Sequence, residues 1–166
     1  MGDGAESFRV ASPEEAHALM ELERDANLVA LAHVFPAAEH PYPEAEVEAR
    51  WDATLAEDGV TVEVVPGTEG LLALVAYDDH RLRHLAVHPS AWGRGLARSA
   101  VERAVTRMAP GPRLWCLDAN HRARGLYEHL GWRPTGGSRR AEWPPHPVES
   151  EYALARPADG QVAAGP

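Results

Sequence analysis

The stretch that decides the fold is Leu85-Ala86-Val87-His88-Pro89-Ser90-Ala91-Trp92-Gly93-Arg94-Gly95-Leu96-Ala97-Arg98. An apolar strand ends at Pro89, a loop with two glycines follows, and a helix pattern begins at once. Leu96, Ala100, Val101, Ala104 and Met108 recur at helical spacing until Pro110-Gly111 stops them. Gly93 and Gly95 admit φ > 0 and let the backbone approach a ligand closely. The first amides of such a helix lack carbonyl partners and lie at the positive end of its dipole, so the turn is suited to an anion. Arg94 and Arg98 add charge there. The spacing is not the G-x-x-x-x-G-K-S/T of a Walker loop, and the dinucleotide fingerprint lacks its third glycine. A plain strand–helix turn fits this stretch equally well.

Working outward, three strands precede this loop: Val60–Val65, Leu71–Tyr77 and Leu82–Val87. Pro66-Gly67 and Asp78-Asp79 separate them as antiparallel hairpins. Earlier, Ser7–Ala11 reads as a short strand. A helix opens at Ser12-Pro13-Glu14-Glu15, with Ser12 as cap, Pro13 at the first helical position and Glu15 closing a capping box. A second helix spans about Pro43–Ala56, its buried stripe carried by Val47, Trp51 and Leu55. After the loop come a strand at Leu114–Leu117 and a helix that Asn120 caps and Gly131 ends. Two last strands lie near Thr135–Trp143 and Glu151–Leu154. The order β-α-α-β-β-β-α-β-α-β-β predicts an α/β (α+β) fold, one mixed sheet with helices on it. The organisation expected is a flexible N-terminus at 1–6, a single domain at 7–155 and a flexible tail at 156–166.

Composition narrows the function. The 166 residues include 25 acids and 16 basic residues for a net charge of −9, ordinary for one globular domain. Every basic residue is arginine. Residues 1–80 hold 18 acids and 3 arginines, whereas residues 81–166 hold 13 arginines and 7 acids. An acidic whole argues against nucleic acid as a partner. The basic second half suits a small anionic ligand, or is simply a solvated helix surface. No apolar run reaches the ~20 residues of a membrane helix, and MGDGAES is neither a secretory signal nor a myristoylation site, so a cytoplasmic protein with no membrane partner is expected. The single cysteine, Cys116, excludes an internal disulfide and reads as a buried small hydrophobe. His80, His84 and His88 fall on a strand, where their spacing is too wide for a metal, and none is expected.

A second constellation follows the loop: Asn120-His121-Arg122-Ala123-Arg124-Gly125-Leu126-Tyr127-Glu128-His129-Leu130-Gly131-Trp132. Tyr127 lies two turns beyond Asn120 on the same face. A phenol of pKa ~10 can protonate a departing thiolate at small cost, though a core tyrosine satisfies the periodicity as well.

Together these two stretches resemble the GNAT superfamily of acetyl-CoA-dependent N-acetyltransferases, closely over residues 82–132 and loosely over about 7–155. Trp92 to Ala97 align with its (Gln/Arg)-x-x-Gly-x-(Gly/Ala) motif. Asn120, Ala123, Leu126, Tyr127, Glu128, Gly131 and Trp132 match its Asn-x-x-Ala-x-x-Leu-Tyr-Glu-x-x-Gly-aromatic motif. The resemblance implies the family's three-layer fold and acetyl-CoA as co-substrate, without a metal. It implies that the pantetheine arm pairs with Leu85, Ala86 and Val87, and that Gly93, Arg94, Gly95, Leu96, Ala97 and Arg98 cradle the diphosphate. Asn120 would contact the cofactor arm, and Tyr127 would protonate the thiolate as acetyl passes directly to an amine. A homodimer is compatible with it.

Two departures stand out. Trp92 replaces the usual Gln or Arg, so coenzyme affinity drops or Arg94 and Arg98 compensate. The carboxylate positions that serve as base in some members fall at Trp115, Arg81 and Arg83, leaving His84 and Asp118 as the nearby ionisable groups. The acids Glu44, Glu48 and Asp52 form an i, i+4, i+8 row that either steers a cationic acceptor or is a solvated face. The function expected is acetyl transfer to a primary amine on a small cationic molecule. The alternatives are acetylation of a protein N-terminus or lysine, and a non-catalytic acyl-CoA-binding module.

Overall fold

An almost unbroken apolar run such as Leu71–Tyr77 cannot turn either face to water, so it becomes the centre of a sheet covered on both sides. The computed structural model describes residues 7–155, and the expected flexible ends at 1–6 and 156–166 lie outside the described residues. In chain order the elements are β1 (Arg9–Val10), α1 (Ala16–Ala30), α2 (Glu44–Ala56), β2 (Thr61–Pro66), β3 (Leu71–Tyr77) and β4 (Leu82–Val87). A short 3-10 turn at Pro89–Ala91 leads to α3 (Leu96–Val105), β5 (Arg113–Leu117), α4 (His121–His129), β6 (Trp132–Arg140) and β7 (Val148–Leu154). The element order matches the sequence expectation.

Burial explains the layering. Leu19, Met20 and Leu22 of α1 and Val47 and Trp51 of α2 pack on one face of the sheet, against Val62, Val64, Leu74 and Ala76. On the other face, Ala100, Val101, Ala104 and Met108 meet Val75, Tyr77 and Leu82. A buried carboxylate, Glu63 of β2, fixes α3 from below. It accepts from the Tyr77 hydroxyl at 2.9 Å and from Arg103 Nε of α3 at 2.8 Å. Paired in this way, a buried charge does not carry its full desolvation cost.

The expected single mixed sheet is in fact two antiparallel sheets, ordered β1-β2-β3-β4 and β5-β7-β6. They touch through one parallel bridge, Arg81 to Arg113. Beyond it β4 diverges from β5. Ala76 pairs with His84 but Tyr77 pairs with Leu82, so Arg83 is an extra residue on β4. Such a bulge bends the strand and increases its twist. The outer edge of β4 therefore has no strand beside it among the described residues.

Glu151 of β7 ties this fork together. It accepts from Arg113 Nη1 at 2.7 Å, Arg81 Nη2 at 3.2 Å and Thr135 Oγ1 at 2.9 Å. Burial alone would raise its pKa, but the Thr135 hydroxyl and the two guanidiniums hold it below the usual carboxylate range.

Two boundaries differ from expectation. Helix α1 starts at Ala16 with Glu15 at its N-cap, because residues 12–15 form a tight turn in which Glu15 N donates to Ser12 O. Only half of the capping box forms, Ser12 N donating to the Glu15 carboxylate at 2.7 Å, while Arg9 pairs with the same carboxylate. The sixth strand starts at Trp132, not near Thr135, since Trp132 is fully buried in the second core cluster.

Neutralising the fork carboxylate with Glu151→Gln is expected to cost about 1–3 kcal/mol, the scale of charge-assisted bonds at partly exposed arginines, in urea denaturation at pH 7. A loss below a few tenths of a kcal/mol would remove the clamp. A second test concerns His84, which packs against the Trp51 ring at 4.9 Å between centroids. Burial, then Arg50 and Arg83, push its pKa down to about 3. The unfolded chain takes up this proton near pH 6.5 and the folded chain does not, so stability falls as pH drops from about 6.5 toward 3. In His84→Gln that acid-side slope is expected to flatten by up to one proton; an unchanged slope contradicts the assignment.

Candidate active site

Where β4 and β5 part, a cleft of about 440 Å³ opens, roofed by α1 and floored by α4. Its walls carry Leu85, Ala86 and Val87 of β4; Gly93, Gly95, Leu96, Ala97 and Arg98 of the loop and α3; and Asn120 and Tyr127. Of the residues expected to bind the coenzyme or to protonate its sulfur, Arg94 alone does not line it. The Arg94 Nη2 group donates to Ser90 O at 2.9 Å, which turns the side chain back along its own loop.

The loop geometry follows from its glycines. Gly93 and Gly95 have φ of 80° and 77°, a region costly for residues with a Cβ. Gly95 is the N-cap of α3 and supplies no side-chain cap. The first amide bonded within the helix is Ser99 N, to Gly95 O. The amides of Leu96, Ala97 and Arg98 thus face the cleft end with the dipole behind them. Arg98 is held by Glu102 at 2.8 Å, an exposed i, i+4 pair that leaves the side chain mobile in principle but partly neutralised.

Trp92 has a different task from the Gln or Arg it replaces. Its indole donates to Val87 O at 2.8 Å, sealing the end of the β4 edge. The Arg122 guanidinium lies over its ring, 3.9 Å from the centroid. Arg122 comes from α4, lines the cleft and has no acidic partner among the described residues. Sequence reasoning passed over Arg122, because its stacking partner is thirty positions away and in another element.

Asn120 caps α4, its Oδ1 accepting from Ala123 N at 3.2 Å. Tyr127 is buried, packs edge-on to Trp132 and makes no hydrogen bond among the described residues. Burial, with Cys116 close by, pushes its phenol well above the ordinary range. The same environment pushes the Cys116 thiol up to about 12, so Cys116 is a protonated wall residue. His84 lines the cleft but is too weakly basic to accept a proton from an ammonium. Asp118 does not line it and instead accepts from Ser150 Oγ at 2.6 Å. The carboxylates that do reach the cleft are Glu23 of α1 and Glu149 of β7, the latter paired with Arg139.

A second cavity of about 480 Å³ lies on the other side of α1, lined by Phe35, Tyr42, Trp143 and several prolines. Glu23 and Asn27 line both cavities. The acidic row lines neither. Glu44 reaches Arg24 at 3.2 Å and Glu48 reaches His17 at 3.0 Å, so these acids pair across to α1 and lie on its solvated side. Among the described residues, no group of three His, Cys, Asp or Glu is placed to hold a metal ion, and no helix is long and apolar enough to cross a membrane.

With this geometry in hand, comparison with known proteins is informative. Three solved structures illustrate the shared fold. A GCN5-related N-acetyltransferase from Rhodopseudomonas palustris has a TM-score of 0.75 at 15% identity, covering 93% of this chain and 98% of that one. The ribosomal-protein-S18-alanine N-acetyltransferase from Escherichia coli gives 0.67 at 19% identity, covering 94% and 97%. A variant of the spermidine N-acetyltransferase SpeG from Vibrio cholerae gives 0.62 at 18% identity, covering 90% and 94%. No curated protein matches the chain in sequence. Residues 51–134 match the acetyltransferase (GNAT) domain, a span that runs from Trp51 through both glycine-containing motifs. The chain belongs to the GNAT acetyltransferase family.

Proposed function

We propose that this protein moves an acetyl group from acetyl-CoA directly to the primary amine of a small molecule, within a ternary complex. The observation that carries the reading is the junction of three features on one cleft: a strand edge without a neighbouring strand among the described residues, a helix N-terminus without a side-chain cap behind two left-handed glycines, and a buried phenol. These suit the three parts of the coenzyme. The outward-facing backbone groups of Leu85 can pair with the amides of a pantetheine arm, whereas those of Ala86 turn toward Leu74 of β3. The carbonyl of Val87 is already engaged by Trp92, so the strand-like pairing ends there. The amides of Leu96, Ala97 and Arg98 suit a diphosphate. Arg122, lying over the Trp92 ring and without a counter-ion among the described residues, would supply a cation where the family motif carries Gln or Arg on the loop itself.

The thioester supplies an activated acetyl group. The amine nitrogen forms a bond to its carbonyl carbon and the carbon–sulfur bond breaks. Tyr127 gives its proton to sulfur and regains one from the newly acylated nitrogen; an ammonium loses its extra proton to water first. A phenol with a raised pKa would be a poor acid toward a thiol in water. The burial that raises the phenol also raises the Cys116 thiol beside it, up to about 12, and would act in the same direction on a coenzyme sulfur held there. Holding thioester and amine together supplies much of the remaining rate, with effective molarities of ~10⁵ M and above within reach.

Tyr127→Phe is expected to leave CoA affinity within about twofold and to lower kcat on the order of 10²-fold. Unchanged kcat would dismiss the acid role. Arg122→Gln is expected to weaken CoA binding by about tenfold while leaving acetyl-pantetheine, which has no diphosphate, unaffected. Equal losses for both ligands would take Arg122 off the phosphates.

A further inference from the structure

We propose that the acceptor is a small primary amine carried on an apolar body of aromatic size, seated in the second cavity with its nitrogen directed past Glu23 and Asn27 into the cleft. This rests on the acetyl-transfer reading above and names the substrate class for it. The cavity is concave and its walls are rings: Phe35 from the loop after α1, Tyr42 just before α2, and Trp143 from the connection between β6 and β7. Tyr42 and Trp143 pack on the first core cluster, so these walls are anchored. An amine with a bare or polar body would leave this apolar surface in water, whereas a phenyl-sized group would remove it.

The polar groups are few and stand at the passage between the two cavities. Glu23 accepts from Trp51 Nε1 at 2.9 Å and from Arg50, both through Oε2, which leaves Oε1 without a hydrogen bond among the described residues. The Tyr42 hydroxyl is enclosed close to the Glu23 carboxylate and makes no well-formed hydrogen bond among the described residues. An enclosed polar atom without a partner is costly and points to a ligand that completes it. An incoming N–H can be accepted by Glu23 Oε1 and the Tyr42 oxygen together. The lining otherwise holds one acid, Glu39, and no arginine. That arrangement offers one cationic position at the passage, beside Glu23, and at most one more, at Glu39, on an otherwise apolar chamber. A polyamine or an aminoglycoside spreads several cations over its length and needs a carboxylate for each; the row Glu44, Glu48 and Asp52 does not reach the cavity.

The test measures thiol release from acetyl-CoA with 2-phenylethylamine, ethylamine, spermidine and a pentapeptide with N-terminal alanine, after calorimetry has established CoA binding. The expected result is a kcat/KM for 2-phenylethylamine at least about 30-fold above each of the others. Trp143→Ala and, separately, Phe35→Ala are expected to lower that value about tenfold while leaving ethylamine turnover and CoA affinity unchanged. Spermidine or the peptide turning over as well as the aromatic amine overturns the proposal. So does an equal loss for 2-phenylethylamine and ethylamine in both variants, or turnover of none of the four by protein that binds CoA. Failure to bind CoA at all instead overturns the acetyl-transfer reading on which the proposal stands.

Discussion

The fork between β4 and β5 is the constraint on which the rest depends. Two parallel strands of one sheet ordinarily continue side by side, and here they part after a single bridge at Arg81 and Arg113. The extra residue at Arg83 bends β4 away, and the Glu151 carboxylate holds both strand starts at the point of divergence. Without the clamp, two guanidiniums would face each other across the junction. With it, β4 keeps one edge open while its other edge is locked to the buried β3. The cleft is thus a product of strand geometry and charge pairing, and every candidate site residue is positioned relative to it.

The end of the cleft at the glycine loop, proposed for the diphosphate, is built in a way particular to this chain. The loop position at which the family motif places Gln or Arg holds Trp92, whose indole is fastened to the strand end. The Arg122 guanidinium lies over that ring, carried by the next helix but one in sequence, and is the cation proposed for this end of the cleft. A stacked guanidinium is held flat and loses little freedom when it meets an oxyanion. Arg94 and Arg98, the residues that sequence reasoning offered as compensation, are directed to Ser90 O and Glu102.

Much of this was legible in the chain because it is local. The glycines at 93 and 95, the cap at Asn120 and the two-turn offset to Tyr127 are short-range patterns, and their elements formed within a residue or two of expectation. The hairpins over 60–87 were legible through their turn residues. What was not legible depends on distant partners. The split of the sheet needs the register between β3 and β4 and the meeting of Arg81, Arg113 and Glu151, residues up to seventy positions apart. The Ser12 side-chain cap, by contrast, fails for a local reason: Glu15 N donates to the Ser12 backbone oxygen of a tight turn, and Glu15 itself takes the N-cap position. The aromatic chamber joins Phe35, Tyr42 and Trp143, about a hundred residues apart, and no periodicity announces it. The acidic row was visible, but its direction toward Arg24 and His17 was not.

The central claim is that one cleft holds the coenzyme with its sulfur beside Tyr127. A crystal structure of the protein with CoA bound tests it most directly. The account predicts the diphosphate against the amides of residues 96–98 and the sulfur within about 3.5 Å of the Tyr127 hydroxyl. A coenzyme bound elsewhere, or a sulfur separated from Tyr127 by the packed side chains around Cys116, would contradict it.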